Sequence, residues 1–313
     1  KLAGNFTINK HMNTGFTGNY SDGQLSKLPS GNDSYLFTVF GCPPNYDLMG
    51  TPTHAPSGPL ADYRQISYRR GAVGDNPLWS MQHNKYLEAT KRFFGNAFLE
   101  YKPLEWFTAK YQLGVDMYNT ANEDYLEMGS AHTGQSLPSQ GQYPSPSNPV
   151  YAFITPVGGS INYYGITKRV LNSLLTFDFH KKLTEDINGD FLIGNEINDE
   201  WEYYNNAYGS GFTIPNWDNM ANTSTQLTSS SNDLGRYRYR TFGTFGNLAL
   251  DYKSMLFFNA TGRTDVVSSM PRGSRTFFYP SVSLGFLFTE LPAIKGNKIL
   301  NYGKVRASWA QVG

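Results

Sequence analysis

Residues 107–117 read Phe-Thr-Ala-Lys-Tyr-Gln-Leu-Gly-Val-Asp-Met. In an extended chain Phe107, Ala109, Tyr111, Leu113, Val115 and Met117 fall on one side, and Thr108, Lys110, Gln112 and Asp116 on the other. A period of two sustained this long marks a β-strand with one apolar and one polar face. At about 3.3 Å per residue such a strand also crosses a bilayer when tilted. The pattern returns with Leu171, Leu175, Phe177 and Phe179 against Asn172, Thr176 and Asp178, and with Leu248, Leu250 and Tyr252 against Asn247 and Asp251. Leu256, Phe258 and Ala260 then oppose Asn259, Thr261, Arg263 and Asp265, and Phe278, Val282, Leu284, Phe286 and Phe288 oppose Ser281, Ser283 and Thr289.

The alternation predicts about ten strands, over residues 1–9, 13–22, 92–102, 106–118, 168–182, 190–204, 236–252, 255–266, 276–290 and 302–313. It slips near Tyr237 and Tyr239, on the side opposite Leu248, which predicts a β-bulge or a stretch beyond the bilayer. Short links fall at 10–13, 102–105, 183–189 and 253–254, with a longer one at 291–301. Long segments at 23–91, 119–167 and 205–235, and a modest one at 267–275, take turns with them. One rim is therefore tight and the other elaborate, as in outer-membrane barrels. The long segments are rich in Pro, Gly, Ser and Asn, as from Pro138 to Pro149, and 34–40 is expected to form a short helix.

Composition sharpens this picture. Aromatic residues reach 15% and charged residues only 16% of 313 residues, a balance that favours short strands and turns over helices. No run of about 18 apolar residues exists, which excludes a membrane helix and leaves a membrane barrel open, and a mean hydropathy of -0.46 is compatible with that. A formal charge of +1 points to no nucleic-acid partner. Cys42 is the single cysteine and no CxxC or HExxH spacing occurs, so neither a structural metal nor a cofactor is expected. The stretch Glu185 to Asp190 has its glycine at the wrong offset for a calcium loop, and Asn188-Gly189 reads as a turn pair. His180-Lys181-Lys182 reads as an interfacial anchor, and nothing places a nucleophile beside a base, so no enzyme is expected. Starting at Lys1 and stopping inside a strand pattern at Gly313, the chain reads as an internal piece of a larger protein.

Several blocks then carry a resemblance. Gly262-Arg263-Thr264-Asp265, Ser268-Ser269-Met270-Pro271 and Phe277-Phe278-Tyr279-Pro280-Ser281-Val282-Ser283 resemble a barrel block of SusC-like (SusC/RagA-type) TonB-dependent outer-membrane transporters. Tyr302 to Gly313 is similar to the strand that follows it in that family, and Asn96 to Trp106 to one of its hairpins. Pro43 to Asp47 and Asp75 to Trp79 are similar to its extracellular segments; Thr264 and Val266 depart from its pattern.

The resemblance spans nearly the whole chain. It implies an all-β, antiparallel transmembrane barrel piece, one partial barrel domain over 1–313, with the plug and the remaining strands of a barrel of about 22 lying elsewhere. It also implies import of oligosaccharides or peptides across the outer membrane of a Gram-negative bacterium, beneath a SusD-like surface lipoprotein and coupled to the TonB complex. Tyr46, Trp79, Tyr143, Tyr151 and Trp217 lie in the long segments and could stack on substrate or pack the loops together. Asn259, Arg263 and Asp265 are expected to face the lumen, as substrate or plug contacts or as an ion pair holding register. The alternative is a passive porin or a soluble glycan-binding β-protein.

Overall fold

The computed structural model of the chain describes residues 1–27, 35–66, 74–131, 156–228 and 235–312. Its strands are β1 Leu2–Asn9, β2 Met12–Ser26, β3 Lys85–Leu104, β4 Phe107–Leu126, β5 Ser160–Lys182, β6 Ile187–Phe212, β7 Thr223–Thr228, β8 Arg236–Tyr252, β9 Leu256–Val267, β10 Thr276–Leu287 and β11 Lys304–Ala310. They form one antiparallel sheet in chain order, except that β8 follows β6 and the short β7 pairs with the far end of β6. Each of the ten strands expected from alternation is present. β1 and β11 do not pair with each other: Phe6 lies opposite Thr14, and Val305 opposite Phe286.

Register assigns the faces, because directly opposed residues point to the same side. Leu113 lies between Ala97 and Ser173, Leu248 between Phe191 and Ala260, and Leu284 between Phe258 and Ala307. Followed across the sheet, these pairings put Phe16, Val115, Leu171, Leu250, Phe286 and Trp309 on that same apolar face. Asn96, Gln112, Asn172, Glu196, Asn247, Asn259, Arg263 and Ser283 occupy the other. Many apolar-face side chains are exposed, among them Phe16, Leu99, Leu113, Phe191, Ile193, Phe242, Leu284 and Trp309. Two polar groups among these apolar side chains are satisfied within the sheet: Ser173 Oγ donates to the Tyr111 hydroxyl at 3.1 Å and Asn195 Nδ2 to the Gly243 carbonyl at 3.0 Å.

Pro103, Asn188 and Ser254 lie at one rim, beside tight turns. Lys253 and Ser254 take φ of 52° and 53°, and Asp251 accepts the Ser254 N–H at 2.8 Å. At the β5–β6 turn the expectation for Asn188-Gly189 is corrected. Both belong to β6, opposite Lys182 and Lys181, and the turn is closed instead by Thr184, whose hydroxyl accepts from Asp186 and Ile187 N–H. Phe288 and Thr289 are also not strand; they form a short 3-10 turn after β10 with Thr289 buried.

At the opposite rim strands run further than expected. β6 has 26 residues and β3 and β4 have 20 each. There the apolar alternation is lost while backbone pairing continues. This also accounts for Tyr237 and Tyr239: the β6–β8 register is unbroken there, so there is no bulge in that pairing, and both lie beyond the end of β9. Buried apolar side chains among the described residues are Ala55, Ile66, Trp79, Tyr125, Met128, Ile161 and Phe212, all at this elaborate rim.

Candidate functional site

Two regions carry organised polar chemistry: a folded cap on the long-connection rim and the polar face of the sheet. The cap begins with α1, Tyr35–Phe40, and α2, Pro77–His83. Asn76 caps α2, its Oδ1 accepting from the N–H groups of Leu78 and Trp79, and Pro77 takes the first helical position, where no N–H is needed. The preceding Asp75 is buried and accepts four hydrogen bonds: from Gln65 Nε2, Ser130 Oγ and Ala131 N–H, each at 2.6 Å, and from Asn84 Nδ2 at 3.2 Å. Neutral donors thus replace water around a carboxylate that no cation bridges in these contacts.

Gln65 donates also to the Gly129 carbonyl at 2.8 Å. Gly129 has a φ of 96°, and a Cβ there would lie 1.9 Å from the Tyr63 carbonyl oxygen, so the approach of these two connections requires glycine. Glu127, also buried, accepts from Met128 N–H at 2.7 Å, Tyr125 OH at 2.9 Å and Asn216 N–H at 3.0 Å. Burial outweighs these donors and raises its carboxyl above the usual range. The three long connections are therefore welded into one unit over the cluster of Tyr125, Met128, Ile161 and Phe212.

The expected stacking residues separate into different environments. Trp79 is fully buried; its indole N–H donates to the Asp62 carbonyl at 2.7 Å and its ring stacks on His83 at 4.6 Å. Of the two roles expected for it, Trp79 takes the packing one here. Tyr46 is half-buried, and burial raises its hydroxyl pKa, with Thr51 alongside. Trp217 is 41% exposed, and the next residue, Asp218, is ion-paired with Lys85. Tyr143 and Tyr151 lie outside the described residues. Sequence reasoning missed Gln65, Asp75, Asn84 and Glu127 as the polar frame; the Asp-Asn-Pro helix-start signature was its one visible signal.

On the polar face Asn259, Arg263 and Asp265 share a side, as expected from parity. Arg263 is held by Asp265 at 2.9 Å and reaches across β8, over the Phe245 ring, to Glu196 on β6 at 2.9 Å. Gly243 on β8 leaves the space: a Cβ there would lie 2.4 Å from the guanidinium. Asn172 extends the network, donating to Glu196 at 3.0 Å and Asn198 at 2.7 Å, while Asn259 donates to Asn247 at 2.7 Å. A shallow groove of about 340 Å³ lies alongside, lined by Asn19, Asn96, Gln112, Asp116 and Asn172 among others. Asp116 is paired there with Arg92 through two hydrogen bonds of 2.9 and 2.6 Å.

An antiparallel wall with one exposed apolar face, one hydrogen-bonded polar face and one heavily built rim is the architecture of a β-barrel fragment. Solved structures agree. The chain matches one titled as the RagAB peptide transporter with a TM-score of 0.65 at 16% identity. It matches the RagAB peptide importer in the closed-closed state with 0.66 at 15%, and in the open-open state with 0.68 at 17%. Each match covers 98% of this chain and 31% of the other, so this chain spans about a third of their length and shares the fold of that part. No family model and no curated protein matches the chain.

Proposed function

We propose that the chain is a wall segment of an outer-membrane importer of the SusC/RagA type, working with a SusD-like lipoprotein and driven through TonB. One observation carries the reading: the packed core lies in the rim cap, while the broad apolar face of the sheet is left exposed. In water a surface of this size would be strongly unfavourable, whereas in a bilayer lipid covers it. A soluble glycan-binding protein would need a second layer over this face. The aromatic cluster of Trp106, Phe107, Phe177, Phe179 and Phe191 near the tight rim supports the same reading, as a membrane-border girdle.

For the cargo, peptides fit the polar face. Asn19, Asn96, Gln112 and Asn172 line its groove with amides that both donate and accept, as peptide backbone requires, and the structurally similar RagAB is a peptide importer. Oligosaccharides are the other substrate class for a SusC-type wall. The role is transport, not catalysis.

The test is uptake in cells carrying or lacking the gene. Labelled oligopeptides should accumulate only in carriers and stop when the proton-motive force is collapsed. Uptake indifferent to the uncoupler would replace this reading with a passive porin, and uptake of oligosaccharides alone would reassign the cargo.

A further inference from the structure

The apolar band ends abruptly at arginines. Along the apolar face of β8 the side chains run Tyr252, Leu250, Leu248, Gly246, Thr244 and Phe242, then change to Arg240, Arg238 and Arg236. From Tyr252 to Phe242 is roughly 33 Å of strand, or about 25 Å of membrane thickness at a tilt near 40°, which is the height of a barrel's lipid-facing band. The arginines therefore begin where the hydrocarbon should end, on the rim that carries the folded cap.

Register brings the same chemistry to the neighbouring strands. Arg240 lies opposite Asp199, Arg238 opposite Trp201 and Arg236 opposite Tyr203, while Arg169 of β5 also lies opposite Trp201. Arg238 grips Asp199 with two hydrogen bonds of 2.9 and 2.6 Å, and Arg240 approaches the same carboxylate at 3.4 Å. Arg169 lies 5.9 Å over the Trp201 ring and Arg236 5.7 Å over Tyr203. All four arginines are exposed. Four guanidinium groups face one carboxylate. The nearby Lys168, Glu200 and Glu202 pair with one another on the opposite face and do not neutralise them.

Resting on the membrane reading above, we propose that Arg169, Arg236, Arg238 and Arg240 form a binding site for the phosphate groups of outer-leaflet lipid headgroups. Guanidinium forks match phosphate geometry, Asp199 holds two of them in place, and the Trp–Tyr pair supplies the amphipathic rings typical of a membrane border. Continuity with the lipid-facing band and the uncompensated positive charge select a lipid as the occupant.

The experiment uses the intact transporter in phosphatidylcholine nanodiscs doped with lipid A or with lipid A stripped of its phosphates, and quantifies retained glycolipid by mass spectrometry. The native protein should retain phosphorylated lipid A preferentially, and each arginine lost should lower retention about fivefold. The R236Q/R238Q/R240Q variant should therefore retain almost none. R236Q alone, which breaks no ion pair, gives the same direction if the triple variant fails to fold. Equal retention by native and variant proteins, or equal retention of the two lipids, overturns the site while leaving the membrane reading standing. Failure of the native protein to insert overturns both. A photo-crosslinker at position 238 that captures protein in place of lipid transfers the patch to a protein partner and also overturns the site.

Discussion

At the residue scale, Arg263 shows what parity reveals and what it hides. Alternation alone places it with Asn259 and Asp265 on the polar side. Its second partner, Glu196, lies far away in sequence and one strand beyond the nearest neighbour, so only the sheet order exposes it. The bridge holds β6, β8 and β9 in register, with Gly243 making room and Phe245 supporting the cation. Both charges are about one-third exposed, so the pair is worth little in isolation: E196Q should destabilise the folded protein by about 0.5–1 kcal/mol. R263K should recover less than half of what R263A loses, because an ammonium cannot fork between two carboxylates. Urea titrations of protein folded into vesicles measure both; full rescue by lysine would show that charge alone matters here.

At the element scale, the rim cap buries Ile66 and Trp79 away from the wall strands, and its stability should be separable from that of the wall. W79A removes a fully buried indole and should cost about 3–5 kcal/mol, lost from the cap alone. Hydrogen exchange should then rise across 35–66 and 74–84 while β4 and β5 near the tight rim stay protected. Uniform loss of protection would mean that cap and wall fold as one unit. The cap also predicts a pH dependence. Burial against Trp79, with His54 adding to the effect, holds His83 below the ordinary imidazole pKa. The unfolded chain then takes up the proton first, so this contribution to stability is present above the unfolded value and is lost as pH falls from about 6.5 through the lower folded pKa. H83F, which keeps a stacking ring but cannot titrate, should flatten cap proteolysis rates between pH 7.5 and 5; an unchanged slope would assign the effect elsewhere. Helix α1 was expected at 34–40, whereas α2 behind its Asn76-Pro77 start, the extra lengths of β3 to β6 and the whole of β7 were not. Where both sides of a strand meet the same medium no apolar face is demanded, and backbone pairing leaves no trace in side-chain pattern.

At the scale of the whole molecule, the two faces of the wall should respond oppositely to charge. L248R places a cation on the apolar face within the expected lipid band and should cost about 2–4 kcal/mol in vesicle folding, whereas N247R, one residue away on the polar face, should cost far less. Equal penalties would contradict the assignment of faces. That assignment was readable in advance because a strict period of two is imposed wherever the two sides of a strand meet different media, and the resemblance to part of a larger barrel already implied the open edges that the pairing shows. Among the described residues β1 and β11 each have a neighbour on one side. Within hydrocarbon, an unpartnered strand edge exposes N–H and C=O groups at several kcal/mol each, so such a sheet must be completed by further strands before it can seal a membrane. The matched transporter chains, of which this one covers 31%, are long enough to supply them. We therefore expect residues 1–313 expressed alone to give no ligand-selective flux into liposomes, while the same residues within a barrel completed on both edges conduct only when a gate and its energy source are present. Selective, saturable uptake by the isolated chain would show that its edges close on each other or on a second copy, and the energised-importer reading would have to give way to a self-sufficient channel.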